Sequence, residues 1–342
     1  MDLFGTLGPA CCSEEVLEEM FKAGMTGVRL NLSHSNLEDC KQWIMELDMA
    51  ARACSVERKL LMDLQGPELR MGSVKQELTL KEGEYVYLKE PGTEQMEDIP
   101  VPKQVLWELK KDYHIQLDDG KILLEVHSLY DQNDKEVEES CGFGGKVKCK
   151  ILRGGTLTSR KSIAVNECNI SLPTLTPADI KNIGMAKKFG VTGVMLPFVR
   201  NKEDILCLRK TLNEAGCEQI RIYAKIENLE GVKQLESFLE VCDEIVIARG
   251  DLGNAIELYR LPRLQEEIAE LCVEKGKRFM VVTQMLASME HAKVPTRAEV
   301  NDIYHAVKQG ASSLMVTGET AVGSYPVEVM KVLRDTAQTA LR

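Results

Sequence analysis

Eight short apolar runs recur along this chain, and an amphipathic helical pattern follows nearly every one. The runs are Leu3–Leu7, Gly27–Leu32, Lys59–Leu64, Thr192–Leu196, Ile220–Ile226, Glu244–Ala248, Arg278–Thr283 and Ser313–Thr317. The helical patterns span Glu14–Ala23, Leu37–Ala53, Lys202–Ala215, Gly231–Leu239, Leu261–Lys275, Arg297–Gln309 and Pro326–Leu341. Strand and helix in repeated alternation signify a parallel sheet covered by helices. Eight such units predict a TIM (β/α)8 barrel, in which functional groups gather at the carboxyl ends of the strands.

Several helix starts carry their own signals. Thr176-Pro177-Ala178-Asp179 puts a capping hydroxyl before a proline at the first helical position. Thr296-Arg297-Ala298-Glu299 fits a capping box, and Ser13 with Glu14 and Glu15 places negative charge at the positive end of a helix.

One stretch breaks the alternation. Residues 72–157 are rich in strands and turns, as in Leu78–Leu80, Tyr85–Leu88, Ile122–Val126 and Val147–Leu152, with Asp118-Asp119-Gly120 as a tight hairpin turn. A small, β-barrel-like domain inserted between the third and fourth barrel strands is expected there. The barrel then comprises residues 1–71 and 158–342, close to the ~250 residues usual for this architecture.

Bulk properties exclude some classes of function. A net charge of −10 argues against a nucleic-acid surface, although a few cations can still converge on one anion. No apolar run reaches the ~18 residues of a membrane span, and Met1-Asp2-Leu3-Phe4 leads almost at once into a strand. Neither a membrane segment nor a leader is expected. The eleven cysteines show no C-x-x-C or metal-finger spacing, which fits reduced thiols in a cytoplasmic protein.

Polar residues interrupt the strand ends where chemistry is expected. In Val28-Arg29-Leu30-Asn31-Leu32-Ser33-His34, a period of two sets Arg29, Asn31 and Ser33 on one face. Arginine's fork of donors suits a phosphate, and the oxygens of Asn31 and Ser33 suit a hard cation. A half-solvated polar face fits the same pattern. Asp63, Glu68 and Arg70 flank Gly66-Pro67, which is either a simple turn or part of a site. In Lys225-Ile226-Glu227 the alternation sends the lysine and the carboxylate to one side, and a lysine at so apolar a strand end needs a partner. Asp251 follows the next strand in Arg249-Gly250-Asp251-Leu252-Gly253. Two carboxylates from adjacent strand ends form an oxygen site for Mg²⁺, whereas a structural Lys–Glu pair beside a turn is the plainer alternative. Thr283 and Thr317-Gly318-Glu319-Thr320, at the last two strands, read singly as ordinary loops. His34 carries no assigned role, and Met285, Leu286 and Met289 look like packing.

Taken in order, these segments resemble the pyruvate kinase family over almost the whole chain. The resemblance rests on Thr6-Leu7-Gly8-Pro9-Ala10, Arg29 to His34, Asp63 with Gly66 to Arg70, Lys225 to Asn228 and Ala248 to Gly253. It continues through Thr283 to Leu286, Pro295 to Glu299 and Gly318 to Ala321. It implies phosphoryl transfer between phosphoenolpyruvate and ADP. Glu227 and Asp251 would hold Mg²⁺ or Mn²⁺. Arg29 and Lys225 would grip the phosphoryl group, Lys225 also neutralising the enolate. Asn31, Ser33, Asp63 and the Leu64 carbonyl would hold K⁺, with Glu68 marking K⁺-dependent members. Arg70 and Lys161 match nucleotide-phosphate contacts, Gly250 and Asp251 substrate contacts, and Thr283 the site that helps protonate the enolpyruvate. The inserted domain would be a lid over the nucleotide.

The chain departs from the family pattern at four places. Leu64 and Gln65 replace a usual Thr and Lys, Pro197 replaces a Ser, and Asn254-Ala255 interrupts Asp-Leu-Gly-x-Glu. The chain stops after the eighth barrel helix, where the family carries a further domain, so no response to sugar-phosphate effectors is expected. Helices around Arg297 match a barrel–barrel interface, which allows a homodimer. Two alternatives stand beside an active kinase. One is a non-catalytic paralogue that binds metal and a phosphorylated ligand; the other is a barrel enzyme acting on an enolpyruvate-like ligand without ADP.

Overall fold

The computed structural model describes residues 1–33, 35–67, 69–118, 120–138, 141–142, 144–165 and 172–342. His34, Glu68 and Asp119 lie outside the described residues. Two units form, one from Met1–Pro67 with Thr174–Arg342 and the other from Glu68–Pro173.

In the first unit the eight barrel strands are Asp2–Thr6, Gly27–Asn31, Leu60–Asp63, Gly193–Leu196, Arg221–Ile226, Glu244–Ala248, Arg278–Val282 and Ser313–Met315. Each pairs in parallel with its neighbours in chain order, and the last closes on the first with Phe4 opposite Met315. Alternation along these strands sorts their side chains. Phe4, Leu61, Met195, Tyr223, Val246, Met280 and Met315 fill the interior, while Val28, Leu30, Met62, Val194, Ile222, Ile245 and Val281 pack outward in the cluster that includes the helices. Truncating one of the fully buried aromatics, such as Phe4 or Phe279, is expected to cost about 3–5 kcal/mol.

The helices begin where their caps dictate. Ser13 accepts the Val16 amide, Thr176 caps Pro177–Met185 with Asp179 completing a capping box, and Thr296 does so for Arg297–Lys308 with Glu299. Two starts differ from the sequence reading. The second helix runs Lys41–Ala53 rather than from Leu37, because Asn36 and Asp39 exchange side-chain bonds with each other's amides and hold a turn ahead of it. The helix after the fifth strand begins at Leu229, two residues before Gly231, because the Asn228 side chain caps it through the Gly231 amide at 2.7 Å. A further short helix, Arg249–Asn254, follows the sixth strand directly.

The second unit is built on one sheet in the order Ile163–Val165, His114–Leu117, Ile122–Tyr130, Lys146–Arg153, Tyr85–Lys89, Ile99–Pro100, with Leu78–Leu80 paired separately to Gly155–Leu157. Its own core includes Leu88, Ile115, Leu124, Val147 and Cys149. It reaches beyond 72–157 on both sides, because Ile163–Val165 pairs with His114–Leu117 and Arg70 bridges Ser162. The hairpin at Asp118 joins Leu117 to its partner Ile122, with Asp118 at φ 50° and Gly120 at φ 78°.

Candidate active site

Four charged side chains converge inside the barrel at its carboxyl end. Alternation along the second, third and fifth strands turns Arg29, Asp63, Lys225 and Glu227 inward, where Phe4, Leu61 and Tyr223 lie deeper on the same inner face. Asp63 takes the Arg29 Nε at 2.7 Å, and its Oδ1 and Oδ2 each lie 3.4 Å from Lys225 Nζ. Lys225 reaches Glu227 Oε1 at 2.9 Å, while Glu227 Oε2 accepts the Phe198 amide at 2.8 Å. The carboxylates are almost fully buried, and the Arg29 and Lys225 side chains keep 15% and 13% exposure. Two cations are thus held against two anions, the cationic side chains being slightly more exposed than the carboxylates.

Their electrostatics follow from burial and neighbours. Burial opposes charge on Lys225, but Asp63 and Glu227 outweigh it and hold the ammonium above the ordinary lysine value. Burial pushes the Glu227 carboxyl up to about 7; Lys225 works against that rise and Asp251 adds to it. Glu227 and Asp251 therefore sense each other as like charges. Among the described residues no group of three or more His, Cys, Asp or Glu gathers around a metal position, so a divalent ion here would rely on this pair and on water or substrate oxygens.

Oxygen atoms collect beside the cluster. Asn31 pairs with Asp63 across adjacent strands, and Asn31 Oδ1 accepts the Ser33 amide at 3.2 Å and the Ser33 hydroxyl at 3.0 Å. Asp63 Oδ1 is buried without a hydrogen bond. Leu64 follows, with its amide bound to the Met195 carbonyl at 3.2 Å. The next residues are fixed by two groups to which the sequence assigned no role in the site. The Asp179 carboxylate accepts the Gln65 amide at 2.9 Å and the Gly66 amide at 3.1 Å. Gly66 sits at φ 63° with the Pro197 ring packed against its Cα, where a side chain would collide with Pro197 Cγ. Phe198, which holds Glu227, is itself left-handed at φ 52°. The sequence signal near Asp179 was the capping hydroxyl and proline of Thr176-Pro177, and the capping box it completes is seen in the structure.

Asp251 lies on the short helix Arg249–Asn254. The Gly250 amide donates to Thr283 Oγ1 at 2.8 Å, and that hydroxyl donates to the Val282 carbonyl at 2.5 Å. Thr283 and Gln284 are left-handed in succession, at φ 74° and 53°. Such strain persists only where surroundings enforce it. Arg249 does so: it donates to the Thr283 carbonyl at 2.7 Å and makes two 2.7 Å bonds to Asp302. Neither Arg249 nor Asp302 stood out in sequence, because their link crosses 53 positions. Glu319 is buried and accepts the amides of Leu286 and Thr317.

Arg70 and Lys161 belong to the second unit. Arg70 donates to the Arg160 carbonyl at 2.9 Å, and Lys161 pairs with Asp118 at 2.8 Å. Together Lys161 and Lys121 hold the Asp118 carboxyl below its ordinary range.

Fold and site define a (β/α)8-barrel protein with a buried, charge-balanced cluster at its strand ends. The chain belongs to the pyruvate kinase family: the family's barrel domain, "Pyruvate kinase, barrel domain", matches residues 1–330. Among curated relatives, the pyruvate kinase of Staphylococcus epidermidis is 36% identical over 341 residues, covering 98% of this chain and 56% of that protein. Those of Staphylococcus haemolyticus and Staphylococcus aureus are 35% identical over the same shares. The chain thus spans about half the length of the curated relatives it matches. Among the described residues, no helix is long and apolar enough to cross a membrane, and the ten described cysteines are free thiols.

Proposed function

We propose that this chain carries the phosphoryl-transfer centre of a pyruvate kinase, moving the phosphoryl group of phosphoenolpyruvate to ADP to give pyruvate and ATP. The observation that carries this reading is the Arg29–Asp63–Lys225–Glu227 cluster, buried at the strand ends of that family's barrel. Phosphoryl transfer asks chiefly for positioning and for neutralisation of charge, with little covalent help.

Arg29 and Lys225 grip the phosphoryl oxygens. As the bond from phosphorus to the enol oxygen breaks and a terminal ADP oxygen forms the new one, Lys225 neutralises the enolate left behind. Thr283, held by Arg249 and Gly250, assists protonation of the enolate carbon. Gly250 and Asp251 contact substrate, and Arg70 and Lys161 bind nucleotide phosphate.

Two cations complete the proposal, and the residues fit both. Glu227 and Asp251 would hold Mg²⁺ or Mn²⁺, because their mutual repulsion favours a divalent ion between them. Asn31, Ser33, Asp63 and the Leu64 carbonyl would hold K⁺; the buried Asp63 Oδ1 accepts no hydrogen bond and has the Lys225 ammonium 3.4 Å away as its charged neighbour. When bound, these ions supply positive charge to the substrate oxygens. The protein is read as cytoplasmic, without nucleic-acid or membrane partners, and as a homodimer through the barrel. Support for the last comes from Leu258, Tyr259 and Val294, which are exposed ahead of helices Leu261–Glu274 and Arg297–Lys308.

The test is a coupled assay of pyruvate formation from phosphoenolpyruvate and ADP with Mg²⁺ and K⁺. The expected result is K⁺-stimulated turnover that Lys225→Met abolishes. Absence of turnover under every cation condition, with Mg²⁺ binding intact, overturns the proposal; equal turnover without K⁺ overturns the monovalent site.

A further inference from the structure

Asp179 does more than cap a helix. As the third helical residue it needs only Thr176 to close its capping box, which it does through the Thr176 amide at 2.9 Å and hydroxyl at 2.8 Å. Yet the same fully buried carboxylate also takes the amides of Gln65 and Gly66, more than a hundred residues earlier in the chain. Capping gives no reason for those two bonds.

The peptide plane supplies one. The Gln65 N–H and the Leu64 C=O belong to a single peptide unit, and among the described residues no peptide bond is cis. In a trans unit the two groups point in opposite directions. Fixing the N–H toward Asp179 therefore aims the Leu64 oxygen away from it. A negative charge on the N–H side also polarises the unit and enriches that oxygen in electrons. Gly66 is held a second time by the Pro197 ring, so the loop after Asp63 is clamped from two sides.

Building on the monovalent-cation reading above, we infer that Asp179 is a positioning residue for that cation, acting through the Gln65 amide to orient and polarise the Leu64 carbonyl. It touches neither substrate nor ion. Residues one step behind a metal ligand change affinity by roughly 10- to 100-fold when lost.

Thallous ion, a probe for K⁺, reads this directly by ²⁰⁵Tl NMR titration of the full chain. Asp179→Asn keeps the size but leaves one acceptor. The side with three donors, Gly66 and both Thr176 groups, claims that oxygen, and the new amide then opposes the Gln65 N–H. Tl⁺ affinity is expected to fall roughly 10- to 100-fold. Thr176→Ala weakens the same cap yet leaves the Gln65 bond, and should bind Tl⁺ like the wild type. Wild-type affinity in Asp179→Asn, or an equal loss in Thr176→Ala, overturns the inference while leaving the cation site standing. No Tl⁺ binding to the wild type overturns the cation site itself, and this role with it. Should Asp179→Asn not fold, hydrogen exchange in the wild type decides. The Gln65 and Gly66 amides should exchange slowly, and more slowly still with Tl⁺ bound; fast exchange, or no change at Tl⁺ saturation, overturns it.

Discussion

Gly66→Ala is the perturbation whose magnitude the structure sets most directly. Gly66 occupies φ 63°, and a Cβ added there meets the Pro197 ring, 3.3 Å from its Cβ and Cδ and nearer still to Cγ. Placing an alanine in the left-handed region costs about 1–2 kcal/mol. Overpacking against a ring that cannot rotate away costs about 1–3 kcal/mol more. The sum is about 2–5 kcal/mol. Pro197→Ala removes the ring, so in the double variant only the backbone share, about 1–2 kcal/mol, should remain. Urea unfolding followed by Trp43 fluorescence reports the barrel, because Trp43 packs against the barrel core; Trp107→Phe silences the other tryptophan, which belongs to the second unit. The expected result is a coupling of about 1–3 kcal/mol between the two sites. Additivity within ~0.5 kcal/mol, or a Gly66→Ala variant as stable as the wild type, refutes the contact.

Three further outcomes follow from other parts of the barrel. Asp302→Asn strips the anchor from Arg249 and should lower kcat about tenfold with little change in KM, as expected when a group acts mainly in the transition state; steady-state kinetics check it. Burial raises the Asp204 carboxyl, but Arg200 and Thr174 outweigh it and hold it below the usual value. Its stabilising contribution is thus full above about pH 4 and lost as pH falls through the folded pKa. Thermal melts of Asp204→Asn should approach those of the wild type as pH falls from 6 to 3. At the opposite, amino-terminal end of the strands, buried Glu244 binds Ser313 and, at 3.1 Å, Arg278. Glu244→Gln should cost about 1–2 kcal/mol, read by denaturant unfolding, and leave kcat and KM unchanged, as expected of the barrel's stability face.

Much of this was legible in the sequence because barrel strands alternate in and out. The period of two that puts Leu61 and Tyr223 in the interior also puts Asp63, Lys225 and Glu227 there, so fold and cluster share one signal. Segments lacking that periodicity were harder to see. Arg249–Asn254 contains two glycines in six residues, too short and too weak in propensity to read as a helix. Ile163–Val165 has only three residues, and its pairing with His114–Leu117 decides the extent of the second unit. The supports of the site were hidden for another reason. Asp179, Phe198, Arg249 and Asp302 act through backbone groups or across long separations, and composition holds no trace of that. Pro197, which departs from the family pattern, proves to be packed on Gly66, at the next departure's neighbour.

The central claim is that the buried cluster transfers a phosphoryl group to a nucleotide. ³¹P NMR of phosphoenolpyruvate and ADP with Mg²⁺, K⁺ and the protein follows the bond broken and the bond formed. The phosphoenolpyruvate signal should decline as the γ-phosphorus of ATP grows in equal measure, and Lys225→Met should stop both. Unchanged phosphoenolpyruvate, or its phosphorus appearing as inorganic phosphate, would contradict the account.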